Sequence, residues 1–91
     1  MKNLKPSHRE SKRYLLIKGE DANPKAVEDA ILEFIGVLGF AEASPRIIKK
    51  QKNKIILAIN RGSLEKVRAS FLLSGKKLEI TQVSGSVGKL G

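Results

Sequence analysis

A single histidine, His8, and no cysteine occur in the 91-residue sequence, so a thiol nucleophile and a Cys-based zinc site are both excluded. His8 has no second His and no acid at metal-ligand spacing, and no catalytic dyad can be assembled around it. The carboxylates Glu28, Asp29, Glu33 and Glu42 fall in one acidic stretch with nothing to suggest a shared buried pocket. A solvated face or a basic partner suits them better than acid–base work. Gly85-Ser86-Val87-Gly88-Lys89 has the outline of a phosphate loop, but that motif's first glycine would fall at Val83, and no helix follows to supply a dipole. As a Gly-x-x-Gly loop of the KH type the same residues would have to join two helices, whereas here they follow a strand. The sequence therefore predicts no catalytic residue and no metal site.

What remains is cationic chemistry. Arg46, Lys49, Lys50, Lys52 and Lys54 place five bases and no acid within nine residues, and Arg61 follows. Such a cluster neutralises phosphates and gives salt-dependent binding. The plainer reading is a set of edge-strand lysines that discourage aggregation. RNA contact is favoured because the excess recurs elsewhere: in Lys2, Lys5, Arg9, Lys12 and Arg13, in Lys76-Lys77, and in Lys89. Eighteen Lys and Arg oppose nine Asp and Glu, for a net charge of +9. The signs are segregated. Residues 1–18 hold six bases and one acid, 19–44 one base (Lys25) and six acids, and 45–91 eleven bases and two acids. A protein that lies on RNA with one face and turns another away shows this asymmetry; simple solubility charge mixes the signs.

The elements that must position these bases follow from local pattern. Residues 1–12 have no hydrophobic period and read as a basic N-terminal arm, leaving 13–91 as a single α+β domain with a Gly-rich C-terminal tail. Arg13-Tyr14-Leu15-Leu16-Ile17-Lys18 is a first strand, ended by Gly19 and the acidic turn Glu20-Asp21. Asn23 as N-cap and Pro24 at the first position open a helix. Its buried face is predicted as Ala26, Val27, Ala30, Ile31, Phe34 and Leu38, and its end as a cap at Gly39, for a span of about 24–38. Residues 46–50 and 54–59 form a hairpin about the turn Gln51-Lys52-Asn53. Ser63 is the expected N-cap of a second helix with the stripe Leu64, Val67, Phe71 and Leu72, closed by Gly75. Lys77 to Val83 supplies a fourth strand.

The order β-α-β-β-α-β is that of the ferredoxin-like, RRM-like sandwich, a four-stranded antiparallel sheet with both helices on one face. Strands one and three then lie at the centre. Both are apolar on both faces, so the second face is expected to be covered by a partner chain or by the termini. Tyr14, Leu16, Ile55, Leu57 and Ile59 are the predicted protein interface. Tyr14 is the only aromatic in any strand, which argues against reading single strands by base stacking. With no Trp, three Phe and one Tyr, aliphatic residues must fill the core, and at this length folding buries only roughly 60–65% of the unfolded surface. No stretch approaches 18 apolar residues and the basic N-terminus lacks an apolar core, which predicts a soluble, cytoplasmic chain with no membrane contact and no secretory signal. An acylphosphatase-like enzyme of the same fold needs an Arg in a phosphate-cradling loop after strand one; here that loop is the acidic Gly19-Glu20-Asp21.

Four stretches resemble the archaeal-type ribonuclease P protein component 2 family, which has a eukaryotic counterpart in nuclear ribonuclease P and MRP. They are Arg9-x-x-Lys12-Arg13-Tyr14, Leu38-Gly39-Phe40-Ala41-Glu42-Ala43-Ser44-Pro45-Arg46-Ile47-Ile48, Val67-Arg68-Ala69-Ser70-Phe71-Leu72, and Val83-Ser84-Gly85-Ser86. The resemblance implies a subunit of the ribonucleoprotein endonuclease that removes 5′ leaders from precursor tRNA. It implies as partners the ribonuclease P RNA, precursor tRNA through the complex, and the barrel-fold protein component 3, with a further homodimer contact. Magnesium belongs to the catalytic RNA, and no cofactor is expected on this chain. The predicted RNA-binding residues are Arg9, Lys12, Arg13, Arg46, Lys49, Lys50, Lys52, Lys54, Arg61, Lys76, Lys77, Ser84, Gly85, Ser86 and Lys89. The family often has an Arg within strand three and a Thr after Ser-Gly; this chain has Leu57, Ala58 and Ile59, and Ser86. The competing reading is a generic structured-RNA- or ribosome-binding protein of the same fold.

Overall fold

A computed structural model describes residues 11–90, so the arm up to position 10, Arg9 included, lies outside the described residues. The elements are β1 (Lys12–Lys18), α1 (Pro24–Ala43), β2 (Arg46–Gln51), β3 (Lys54–Asn60), α2 (Leu64–Ser74) and β4 (Glu79–Ser84), with 3₁₀ turns at Arg61–Ser63 and Val87–Lys89. The sheet is antiparallel in the order β2-β3-β1-β4, which puts β1 and β3 at its centre. This is the expected ferredoxin-like arrangement. No helix among the described residues is long and apolar enough to cross a membrane.

The core is the contact between one sheet face and the two helices. Leu15 and Ile17 of β1 and Ile55, Leu57 and Ile59 of β3 are fully buried against Val27, Ala30 and Ile31 of α1 and Val67 and Phe71 of α2. Each side chain of this size contributes roughly 1.5–3 kcal/mol when buried, so the aliphatic core replaces the missing aromatics. Three of the predicted interface residues, Ile55, Leu57 and Ile59, are therefore core. Register decides this: Ile55 is opposite Ile17, Leu57 opposite Leu15 and Ile59 opposite Arg13, whereas Tyr14 is opposite Ala58 and Leu16 opposite Ile56. Cross-strand partners share a face, so Tyr14 and Leu16 lie on the helix-free side with Ile56 and Ala58.

The helix α1 starts as expected, with Pro24 at its first turn and the Asn23 side chain accepting from the Ala26 N–H at 2.9 Å. Its end differs. Gly36 takes φ 75°, ψ −178° and kinks the helix, which resumes to Ala43 and closes on Ser44 at φ 47°, whose N–H bonds to the Phe40 carbonyl. The kink resets the helical register, so Phe40 and Ala43 return to the core while Leu38 is 83% exposed. Phe34 is 46% exposed: it lines a groove between the helices with Ser70 and Leu73, where the small, buried Ser70 leaves its ring only partly covered. In α2 the stripe runs Val67, Ser70, Phe71, and Leu72, some 100° around from Phe71, is 78% exposed. Ser63 makes no side-chain capping bond; the Arg61–Ser63 turn leads into the helix instead, with the Leu64 N–H on the Arg61 carbonyl. Gly75 closes α2 in the left-handed conformation, as expected.

The turn after β1 is structural. Gly19 has φ 141° with its neighbour so close that a β carbon would fall 2.0 Å from the Lys77 carbonyl oxygen. Asp21 clasps the same residue twice: its N–H donates to the Lys77 carbonyl at 3.1 Å, and its carboxylate accepts from the Lys77 N–H at 2.7 Å. That clasp holds Lys77 out of the sheet and delays β4 to Glu79, two residues after the expected start.

Candidate nucleic-acid interface

The helix-free face is laid out by register in rows across the four strands. One row reads Arg46, Ala58, Tyr14, Ser84; the next Lys49, Ile56, Leu16, Gln82; the third Gln51, Lys54, Lys18, Glu79. Lys12 and Asn60 pair beyond the first row. Five bases (Lys12, Lys18, Arg46, Lys49 and Lys54) thus share one face with a single acid, Glu79, at its corner. At about 4.8 Å between strands the platform is about 14 Å wide. Among the described residues none of these five bases forms an ion pair. The pairs that do form are Lys25–Asp29 at 3.0 Å, Lys66–Glu42 and Arg68–Glu65 at 3.9 Å, all on the helix layer, and Lys77–Glu20 at 3.4 Å in the turn beside it. The helix layer also carries the exposed Glu28 and Glu33. Charge is thus split across the thickness of the molecule, compensated on the helices and uncompensated on the sheet.

The apolar centre of this face is closed. Leu16 and Ile56 are 2% and 9% exposed although no helix lies over them. Beyond β4 the chain turns back across the sheet, and Leu90 reaches a cleft of about 200 Å³ formed with Lys49, Gln51, Lys54 and Ile56. The predicted tail thus returns to the second face at Leu90, beside Ile56, and carries the exposed Lys89 with it.

Of the predicted RNA-binding residues, the structure brings Lys12, Arg46, Lys49, Lys54 and Ser84 together on this face. Lys12 is fixed there: its Nζ donates to Asn60 Oδ1 at 2.8 Å, while Asn60 Nδ2 donates to the Glu42 carbonyl at 2.6 Å. Lys52 sits at the hairpin turn next to Asn53, whose φ of 57° suits the residue type. Lys50 is opposite Ile55 and so falls on the helix-side face of the edge strand. Arg61 stands exposed at the end of β3, and Lys76 and Lys77 lie in the turn before β4, with the Lys77 ammonium already facing Glu20. Lys18 was not among the predicted residues; the alternation Tyr14, Leu16, Lys18 was the signal for it.

No family model matches the chain. A relative, ribonuclease P protein component 2 of Methanococcus maripaludis, is 31% identical over 100 aligned residues that span 96% of this chain and 77% of the relative. The chain belongs to the ribonuclease P protein component 2 family. Two of the stretches by which the sequence resembles component 2 proteins, far apart in the chain, meet at one end of the sheet. Tyr14 is the cross-strand partner of Ser84. Arg13 donates from Nη1 to the Lys12 carbonyl at 2.9 Å, and the same nitrogen lies 3.3 Å from where a β carbon on Gly85 would stand. Gly85 thus lets the guanidinium lie against the backbone that leads into the tail. Where component 2 proteins often carry an Arg in strand three, only Ala58 of the three residues here faces the open side, and Arg46 beside it keeps a cation in that row.

Proposed function

We propose that this chain serves as the protein subunit of ribonuclease P that lays its open sheet face on the catalytic RNA, organising it for removal of 5′ leaders from precursor tRNA. Family membership supports the subunit role, and the single observation that carries the face is the set of five bases without ion-pair partners among the described residues, backed by an acidic helix layer. Neutralising several phosphates releases counterions and gives affinity that falls steeply with salt, and a fixed Lys12 loses less entropy on contact than a solvated one. Magnesium is assigned to the RNA.

Protein contact is assigned to the helix layer. Phe34, Val37, Leu38, Leu72 and Leu73 remain exposed there, more apolar surface than isolated side chains explain, and they are the surface proposed for protein component 3. Tyr14 and Leu16, predicted for that role, lie instead among the bases.

The test is magnesium-dependent cleavage of precursor tRNA by the cognate ribonuclease P RNA and the other protein subunits, with and without this chain, at several salt concentrations. Cleavage restored at moderate salt, and lost when Arg46, Lys49 and Lys54 are changed together to Gln, is the expected result. Tight RNA binding with no effect on cleavage would sink the subunit role and leave a generic structured-RNA- or ribosome-binding module.

A further inference from the structure

Tyr14 stands near one end of the helix-free face, one row from its closed apolar centre. It stands on a central strand between Ala58 and Ser84, both small, so no bulky cross-strand neighbour crowds its ring. The ring is partly exposed, and among the described residues its hydroxyl has no hydrogen-bond partner. Arg46 lies beyond Ala58 in the same row, Lys12 one row above and Lys49 one row below. An apolar protein surface pressed onto this ring would also bury those three bases without an acid to meet them, at a cost of several kcal/mol per unpaired ion.

We propose that Tyr14 is a stacking site for one unpaired RNA nucleotide, with the flanking phosphates held by Lys12, Arg46 and Lys49. A base has a flat apolar face for the ring and carries anions on both sides, which is the complement of what this patch offers. The site takes one base rather than two or three. The neighbouring strand β3 has no aromatic residue, and the next row of the face, Leu16 and Ile56, is already buried. A duplex cannot use the site, because its bases are stacked on one another. The inference rests on the reading that the open face meets RNA and adds to it a selectivity for single strands.

Tyr14 is the only tyrosine, and there is no tryptophan, so the intrinsic emission of the unmodified full chain reports on this ring alone. Titration with a short oligouridylate is expected to quench that emission, whereas an RNA duplex of equal charge binds without quenching it. Tyr14→Leu is expected to weaken oligouridylate binding by roughly five- to 150-fold, the range that one base on an aromatic ring contributes, and Tyr14→Phe to stay within about twofold. Duplex affinity should be the same in all three proteins, which also verifies that each is folded. Oligouridylate that binds with emission unchanged, and with equal affinity to Tyr14→Leu, overturns the stacking site while leaving the charged face intact. Absence of binding by either RNA overturns both.

Discussion

At the scale of single residues, side chains that look functional in the sequence hold the turn after β1 together. Glu20 and Asp21, an acidic pair in a basic protein, anchor the turn after β1 to Lys77. Gly19 is the pivot of that clasp, and Gly19→Ala must both accept φ 141° and displace the Lys77 carbonyl. Thermal unfolding should show a loss of at least about 2 kcal/mol, a fall of roughly 8–16 °C in Tm; a change under 2 °C would contradict the close approach. Asn60 joins Lys12 of β1 to the carbonyl of Glu42 at the end of α1. Asn60→Ala should cost about 1–2 kcal/mol by denaturant titration and leave Lys12 unheld, so RNA affinity should fall with it. Unchanged affinity would mean that Lys12 takes no part in the contact.

At the scale of elements, the decisive fact is which parity of the central strands faces the helices. Leu57→Ala should cost about 2–5 kcal/mol as a cavity mutation in a closed core, while Leu38→Ala, four-fifths exposed, should stay within about 0.5 kcal/mol. The reverse order would overturn the assigned faces. Sequence pattern reached the element order, the central placement of β1 and β3, the Asn23 cap and the Gly75 cap, because each rests on a local signal. It could not reach the parity. Tyr14 to Ile17 and Ile55 to Ile59 are apolar at every position, so alternation, the only sequence measure of a strand's faces, is silent there. The pairing of Tyr14 with Ala58 supplies the answer, and it is a non-local property. The end of α1 was missed for a related reason. Gly39 is a plausible cap by type, but Gly36 takes the positive φ and lets the helix kink and continue to Ser44, an outcome fixed by the contact of Phe40 and Ala43 with the core. Ser44 pays for its left-handed conformation, and Ser44→Gly should raise stability by about 0.5–1 kcal/mol; a loss of stability would show that its φ of 47° is not strained.

At the scale of the whole molecule, the two layers divide the work. Among the described residues the open face of the sheet carries five bases without acidic partners, and the helices carry acids, ion pairs and exposed apolar side chains. Lys2, Lys5 and Arg9 lie outside the described residues, and removing residues 1–10 measures the arm's share of RNA contact. If the helices meet protein component 3, Val37→Asp with Leu38→Asp should abolish co-elution of the two purified proteins and leave RNA affinity within about twofold, since no base of the open face is touched. Retained co-elution would move the protein contact elsewhere.

The central claim, that the open sheet face is the RNA-binding surface, is tested most directly by the salt dependence of binding to ribonuclease P RNA. Affinity would be measured across a salt series for the unaltered chain, for a variant with Lys18, Lys49 and Lys54 changed to Gln, and for one with Lys25, Lys66 and Arg68 changed to Gln. Both variants remove three charges. The account predicts that the sheet variant reduces the slope of log affinity against log salt by about 2–3, whereas the helix variant leaves the slope unchanged. Equal reductions in the two variants would contradict it, for they would mean that RNA senses the net charge of the chain and not this face.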